Sequence, residues 1–265
     1  MLAMGLLVAT GCTLAGVWQW GRHVARGAAN DALGNAEREA VPIAEVLRDS
    51  LDPADAWTPV TVVGRYLADG TVLLRNRPVE GRPALGLLEP FAITDGDLAG
   101  STLVVHRGWV DPDIEAVPTP PGSAVELVVR LRPGEPPAGR EPPNGQAQRI
   151  APEQVLAASG AEATGVLPAY GVLVTENASA PQDVHPVPLP RATFGPHLSY
   201  AFQWWVFAVG ALVGALVLVR REAAQDEQQP AGRPSGPPPR RPRRRSAEEE
   251  EDALVDAASP PTGPA

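Results

Sequence analysis

Four imidazoles are available to this chain as ligands or proton carriers: His23, His106, His185 and His197. A lone histidine is more often a satisfied or solvated residue than a ligand. Two of the four sit at unusual places. His23 lies three residues after Trp20, and His197 lies one residue before Leu198, each at the edge of a long uncharged run. Imidazole is a common ligand of haem iron, and an apolar boundary suits a flat macrocycle. The plain alternative for both is an interfacial polar residue with no ligand. Tyr200, Trp204, Phe207 and Ala211 share one face at helical spacing, which serves either helix packing or a flat aromatic ligand. Gln19 and Gln203 fall near the same depth and are candidates for a bond between helices.

Guanidinium chemistry is the second resource, since all 22 basic residues are arginine. Arg65, Arg75, Arg77, Arg82 and Arg107 fall in or beside strand-like runs. The two-residue period puts Arg75 and Arg77 on one strand face. Lipid phosphates, a partner's carboxylates or haem propionates would suit such groups, and a solvated strand face is the commoner outcome. Arg107 differs, because it shares a face with Leu103, Val105 and Trp109. An arginine among apolar neighbours is expected to be paired or stacked on a ring.

Other chemistries find little support. Cys12 is the one cysteine, which excludes an internal disulfide and any paired-cysteine redox or zinc site. No nucleophile elbow, phosphate-binding loop or zinc-protease helix signature occurs. No catalytic residue is assigned, and an enzyme reading rests only on scattered carboxylates. The formal charge of −9 argues against a nucleic-acid binder held by phosphate neutralisation.

Two uncharged runs organise the chain. Residues 1–21 carry no charge and as a helix reach about 30 Å, the thickness of a bilayer core. Residues 192–219 form the second run. The first run lacks a basic start and a small-residue cleavage site, so a retained anchor is expected rather than a signal peptide. Arg220 and Arg221 border the second run, and Arg233 and Arg240 to Arg245 follow, which assigns that end to the cytoplasm. The expected arrangement is a multi-pass protein of a bacterial plasma membrane: a transmembrane helix over 1–21, an extracytoplasmic domain over 22–195, a second transmembrane helix over 196–219, and a disordered cytoplasmic tail over 220–265. Trp18, Trp20, Phe194, Tyr200, Phe202, Trp204, Trp205 and Phe207 cluster toward the ends that face the middle segment. Such rings favour the headgroup level of a lipid bilayer.

The middle segment reads as β-rich. Runs at 60–66, 71–77, 85–93, 102–110, 125–131 and 170–175 are strand-like, with Asp69-Gly70 as a hairpin turn signal. A mainly antiparallel small barrel or sandwich is expected. Residues 133–143 form a proline-rich loop, and 152–159 open with a proline suited to a helix start. Gly210-x-x-x-Gly214 is a close-approach signal, with Gly11-x-x-x-Ala15 as its candidate partner. The tail has an arginine block and an acidic block and too few apolar residues to fold alone.

Four segments then point to a family. Gly16-Val17-Trp18-Gln19-Trp20-Gly21-Arg22 resembles a G-x-W-Q-x-x-R signature, and Gly64-Arg65-Tyr66 a G-x-[FY] strand. Val104 to Val110, carrying Arg107-Gly108-Trp109, resembles a V-x-R-G-W-V strand, with His106 where Asn or Asp is commoner. His197-Leu198-Ser199-Tyr200-Ala201-Phe202-Gln203-Trp204-Trp205 resembles an H-L-x-Y-A-x-Q-W-[FW] lead-in to a second span. Gly86 and Pro90-Phe91 fit as well. Together these are similar to the surfeit locus protein family (Surf-one, or Shy-one), which are cytochrome c oxidase assembly factors.

The resemblance implies a non-catalytic role in maturing an aa3-type oxidase, at haem a insertion into its large core subunit. It makes His197 the candidate iron ligand, hence the candidate metal residue, with Tyr200 and Trp204 flanking the ring. Trp18, Gln19, Arg22, Arg107, Gly108, Trp109 and Gln203 become candidate partner or structural residues, Arg107 or Arg22 holding an acidic group. Transient haem a is the implied cofactor. The oxidase core subunit, haem a synthesis enzymes and the bilayer are the implied partners. The alternative is a membrane-tethered binding or sensor module with an outer β domain.

Overall fold

The computed structural model describes residues 2–139 and 143–228. The expected tail beyond residue 228, with its two charge blocks, and residues 140–142 of the proline-rich loop lie outside the described residues. The described residues divide into two compact units, one of residues 2–8 with 210–228 and one of residues 9–209.

The larger unit is built on a closed ring of strands. Five of them, β2 (Pro59–Tyr66), β4 (Leu85–Ile93), β5 (Thr102–Val110), β6 (Val125–Pro133) and β8 (Val166–Glu176), pair in the cycle β2-β6-β8-β5-β4-β2. Closure leaves no free edge in that ring. Three short strands extend it: β1 (Val41–Pro42) on β2, β3 (Val72–Leu74) on β4, and β7 (Gln146–Ala147) on β3. The architecture is therefore a barrel, and its sheet is mixed: most pairings are antiparallel, as expected, and three are parallel. β5 runs parallel to β8, β1 to β2, and β3 to β7. A one-turn helix, α2 (Ile43–Val46), follows β1, and the long connection from β6 to β8 makes room for the parallel pairing, since it carries the helix α3 (Pro152–Ser159).

Alternation fills two cores. Val60, Val62, Phe91, Leu103, Val105, Leu127, Val129, Leu131 and Ala169 come from all five ring strands and fill the interior. The opposite face of the wall packs Val104, Leu88, Tyr170 and Val172 against Val155 and Ala158 of α3. Pro152 opens α3, where its missing N–H costs nothing. Asp69 takes φ 55 in its turn, but β2 and β3 do not fold back on each other: both pair with β4. The expected strand at 71–77 ends at Leu74, so Arg75 and Arg77 leave the sheet; Arg77 instead pairs with Glu135.

The two apolar runs are helical beyond their expected ends. The first helix, α1, spans Leu2–Leu33, and the last, α4, spans His197–Gln228. Ala and Arg dominate residues 22–33 and favour helix, so loss of apolarity at Arg22 does not end α1. Both helices are long and apolar enough to cross a membrane. In the smaller unit, a Cβ added at Gly5 would overlap Ala215. Close approach thus falls at Gly5, while Gly11, Gly210 and Gly214 have no neighbour within 4 Å of an added Cβ.

Candidate functional site

Within the larger unit, the first apolar helix meets the start of the last. Gly195 adopts φ 63 and Pro196 follows, so α4 begins at His197, with Tyr200 N donating to Pro196 O at 3.1 Å. His197, Ala201, Trp205 and Ala208 recur at helical spacing; Ala201 and Ala208 are buried. Gly16 of α1 is buried against the Trp205 indole, which occupies the space a Cβ would need. One turn along α1, Gln19 Oε1 stands 2.9 Å from His197 Nδ1. With the amide oxygen as acceptor, Nδ1 carries the proton and Nε2 keeps the lone pair. Rings surround the pair: Trp20 lies 6.2 Å from Trp205, and His23 lies 5.9 Å from Trp20 and 5.5 Å from Phe194. Tyr200 and Trp204, three and seven residues after His197, are 46% and 37% exposed. Gln203, Trp18 and Arg22 are exposed too, so Gln19 bonds His197 and not Gln203.

A second group lies in the barrel wall. A bulge at Leu87/Leu88 leaves Arg107 without a cross-strand partner on β4, between His106 and Gly108. Its guanidinium is 3% exposed and grips Asp183 through two bonds of 3.0 Å, with Nε 3.6 Å from Glu176. Tyr66 donates to Glu176 at 2.8 Å. Gly108 leaves room for the 183–186 segment, since a Cβ there would sit 2.6 Å from His185 O. Trp109 exchanges backbone bonds of 2.9 Å with His185, stacks on its ring at 4.5 Å, and donates from Nε1 to Pro186 O at 3.1 Å. Three consecutive residues thus clamp the segment that leads to α4.

The clamp stands beside strongly displaced acids and bases. Glu89 is fully buried and bonded by the Thr71 hydroxyl at 3.0 Å. Burial pushes its carboxyl up to about 7, against the opposing pull of Thr71 and Arg107. Burial also pushes His106 down to about 4, helped by the charge of Arg77. The Tyr66 hydroxyl is raised by burial and by Glu176.

Comparison with known proteins follows the same segments. A model described as SURF1 family matches residues 6–209, which include the barrel and both helix-helix contacts around Gly16 and Gln19. The chain belongs to the SURF1 family. An uncharacterized SURF1-like protein of Mycobacterium tuberculosis is 33% identical over 214 residues, covering 76% of this chain and 75% of its own length. An uncharacterized SURF1-like protein of Mycobacterium bovis is equally similar.

The SURF1 family is a cytochrome oxidase assembly family. In this SURF1 chain the motif residues fall into two sets. Gln19 and His197 meet directly; Arg107, Gly108 and Trp109 meet Asp183, Val184 and His185. The structure does not bring Arg107 to His197. Its charge faces Asp183 and Glu176 of the same chain. One observation bears on whether the first set fits a haem: Gln19 Oε1 faces His197 Nδ1 at 2.9 Å, and a bond accepted there would leave Nε2 to ligate iron. Among the described residues no cluster of three or more His, Cys, Asp or Glu is arranged to hold a bare metal ion. Sequence reasoning missed the partners Asp183, Val184 and His185, which sit in a proline-rich stretch without period.

Proposed function

We propose that this SURF1 chain is a non-catalytic membrane assembly factor for an aa3-type cytochrome c oxidase, acting at haem a insertion into the large core subunit. The observation that carries the reading is the 2.9 Å contact between Gln19 and His197, which joins the motif segment within the first apolar helix to the one that opens the last. His197 Nε2 would ligate the iron, and the exposed rings of Tyr200 and Trp204 would lie along the macrocycle. A transient ligand suits exposed rings, because no described residue closes over them. The iron supplies the ligand-field and redox chemistry when bound; the chain orients one imidazole and offers an apolar face. The barrel would lie on the extracytoplasmic side, beside the oxidase core subunit and the enzymes that make haem a.

Deletion of the gene is expected to remove the haem a band from reduced-minus-oxidised membrane spectra, with other cytochromes retained. Purified protein co-expressed with haem a synthesis enzymes is expected to carry a haem spectrum that His197→Ala abolishes. An unchanged spectrum in His197→Ala would remove the ligand assignment; an unchanged haem a band after deletion would remove the assembly role.

A further inference from the structure

Arg22, Arg26, Arg132 and Arg191 line one cleft of about 330 Å³, together with Asn30 and Thr193. No carboxylate lines it, although the chain has a formal charge of −9. Among the described residues, ion pairs form at Arg77 and Arg107 and at none of these four. Four like charges around an empty space repel one another, and an anion between them relieves that cost. Two donor atoms at the cleft are buried without a partner, Asn30 Nδ2 and Arg132 Nε. Asn30 Oδ1 already accepts from Thr193 N at 3.2 Å, so the amide's donor end is the one left over. Buried donors without acceptors are rare and call for an explanation.

The floor is rigid and strained. Arg132 stacks over the Trp57 ring, its Cζ 4.2 Å from the centroid. Trp57 is held at φ 71, a left-handed conformation that strains a bulky residue. Its N–H donates to Leu131 O at 2.7 Å, which fixes that geometry. An adjoining hollow of about 810 Å³ shares Ala25, Ala29, Trp57 and Arg132 and also carries Asp31 and Asp52. Arg22 and Arg26 are the first charges after the uncharged start of α1, and Arg191 is the last before the second uncharged run. In a bilayer, that sequence position is the headgroup level.

We propose that the Arg22–Arg26–Arg132–Arg191 cleft is an anion-binding site for the oxyanion head of an amphipathic molecule. Two sources share this chemistry, the phosphate of an anionic phospholipid and the propionate carboxylates of a haem. Arginine forks suit both, by paired hydrogen bonds. The propionate source rests on the haem role proposed above; the phosphate source does not.

The test uses the full chain purified in detergent. Phosphatidylglycerol binding is read by native mass spectrometry against phosphatidylcholine, and haem binding by absorbance titration against haem dimethyl ester. Arg26→Gln/Arg191→Gln is expected to weaken binding of at least one charged probe about tenfold and to leave phosphatidylcholine and the ester unchanged. Arg26→Lys/Arg191→Lys is expected to recover part of the loss, and Arg220→Gln/Arg221→Gln to cause none. Loss confined to phosphatidylglycerol assigns the site to lipid; loss confined to haem assigns it to propionates. If wild type binds no haem but binds phosphatidylglycerol through these arginines, the haem reading fails and the anion site stands. Equal binding of both charged probes by wild type and the glutamine double variant, in a chain of unchanged thermal stability, overturns the site. So does absence of binding of both by wild type.

Discussion

Glu89 and His106 titrate in opposite senses within neighbouring strands of one barrel. The Glu89 carboxyl rises in the fold to about 7, so between about 4.5 and 7 the folded state holds a proton that the unfolded state has released. Its contribution to stability is present at low pH and is lost as pH rises through that window, by roughly 3 kcal/mol at most. His106 falls to about 4, so between about 4 and 6.5 the unfolded state holds the extra proton. Its contribution is present at neutral pH and is lost as pH falls. The two slopes largely cancel between pH 4.5 and 6.5. Glu89→Gln is therefore expected to gain stability over wild type as pH rises from 5 to 8. His106→Asn is expected to gain over wild type as pH falls from 6.5 to 5. Thermal denaturation of each against wild type across that range is the check; parallel curves would contradict the assignment. A further residue-scale expectation concerns Gln19. Gln19→Leu removes the acceptor facing His197 Nδ1, and under the proposed haem role haem affinity should fall about tenfold or more with His197 itself intact.

At the scale of elements, positions of close approach matter more than side-chain chemistry. Gly108→Val would drive its side chain into His185 O and Val184, where an added Cβ already lies 2.6 Å and 2.7 Å away. The barrel can survive this while the 183–186 segment lifts away, because Arg107 and Trp109 each keep only part of their grip. Faster protease cleavage within residues 183–195, at little change in the barrel's hydrogen exchange, is expected; equal cleavage would mean the clamp is not held there. The strands β4 and β5 and the helix α3 were legible to the residue, because alternation, a first-turn proline and flanking breakers act locally. The parallel β5–β8 pairing was not, since strand direction is decided by partners 60 or so residues away and leaves no period. β1 and β7, two residues each, are too short to have a period. Gln19 and His197 were each legible as polar residues at an apolar boundary. Their contact was not, because depth is read from hydropathy while azimuth is set by packing. His197 recurs with Ala201 and Trp205, and that spacing turns Gln203 away. Asp183 escaped because its loop carries no pattern, although the apolar setting of Arg107 already demanded a partner.

On the scale of the whole molecule, exposed apolar surface is the fact to be explained. Leu6, Leu7, Val206 and Val209 are 61%, 70%, 66% and 60% exposed on helices that meet the length and hydropathy a bilayer requires. Stripes of this kind in water would drive aggregation, which supports association with a membrane. The proposed orientation rests on the arginines: Arg220 and Arg221 close the second run, and six more follow. Arg22 and Arg26 pull the other way, and the anion site proposed for the cleft they line would give them a role on the outer face. Gly122 offers a clean reporter, because it is exposed in the loop between β5 and β6 and an added Cβ there meets nothing within 4 Å. Cys12 is the one native thiol, so Cys12→Ser/Gly122→Cys carries a single label site. A membrane-impermeant maleimide added to intact spheroplasts is expected to label this variant fully. A cysteine at Gln225, beyond the second run, should be labelled only after lysis. The reverse pattern would put the barrel in the cytoplasm and remove the outer-face assignment of both His197 and the arginine cleft.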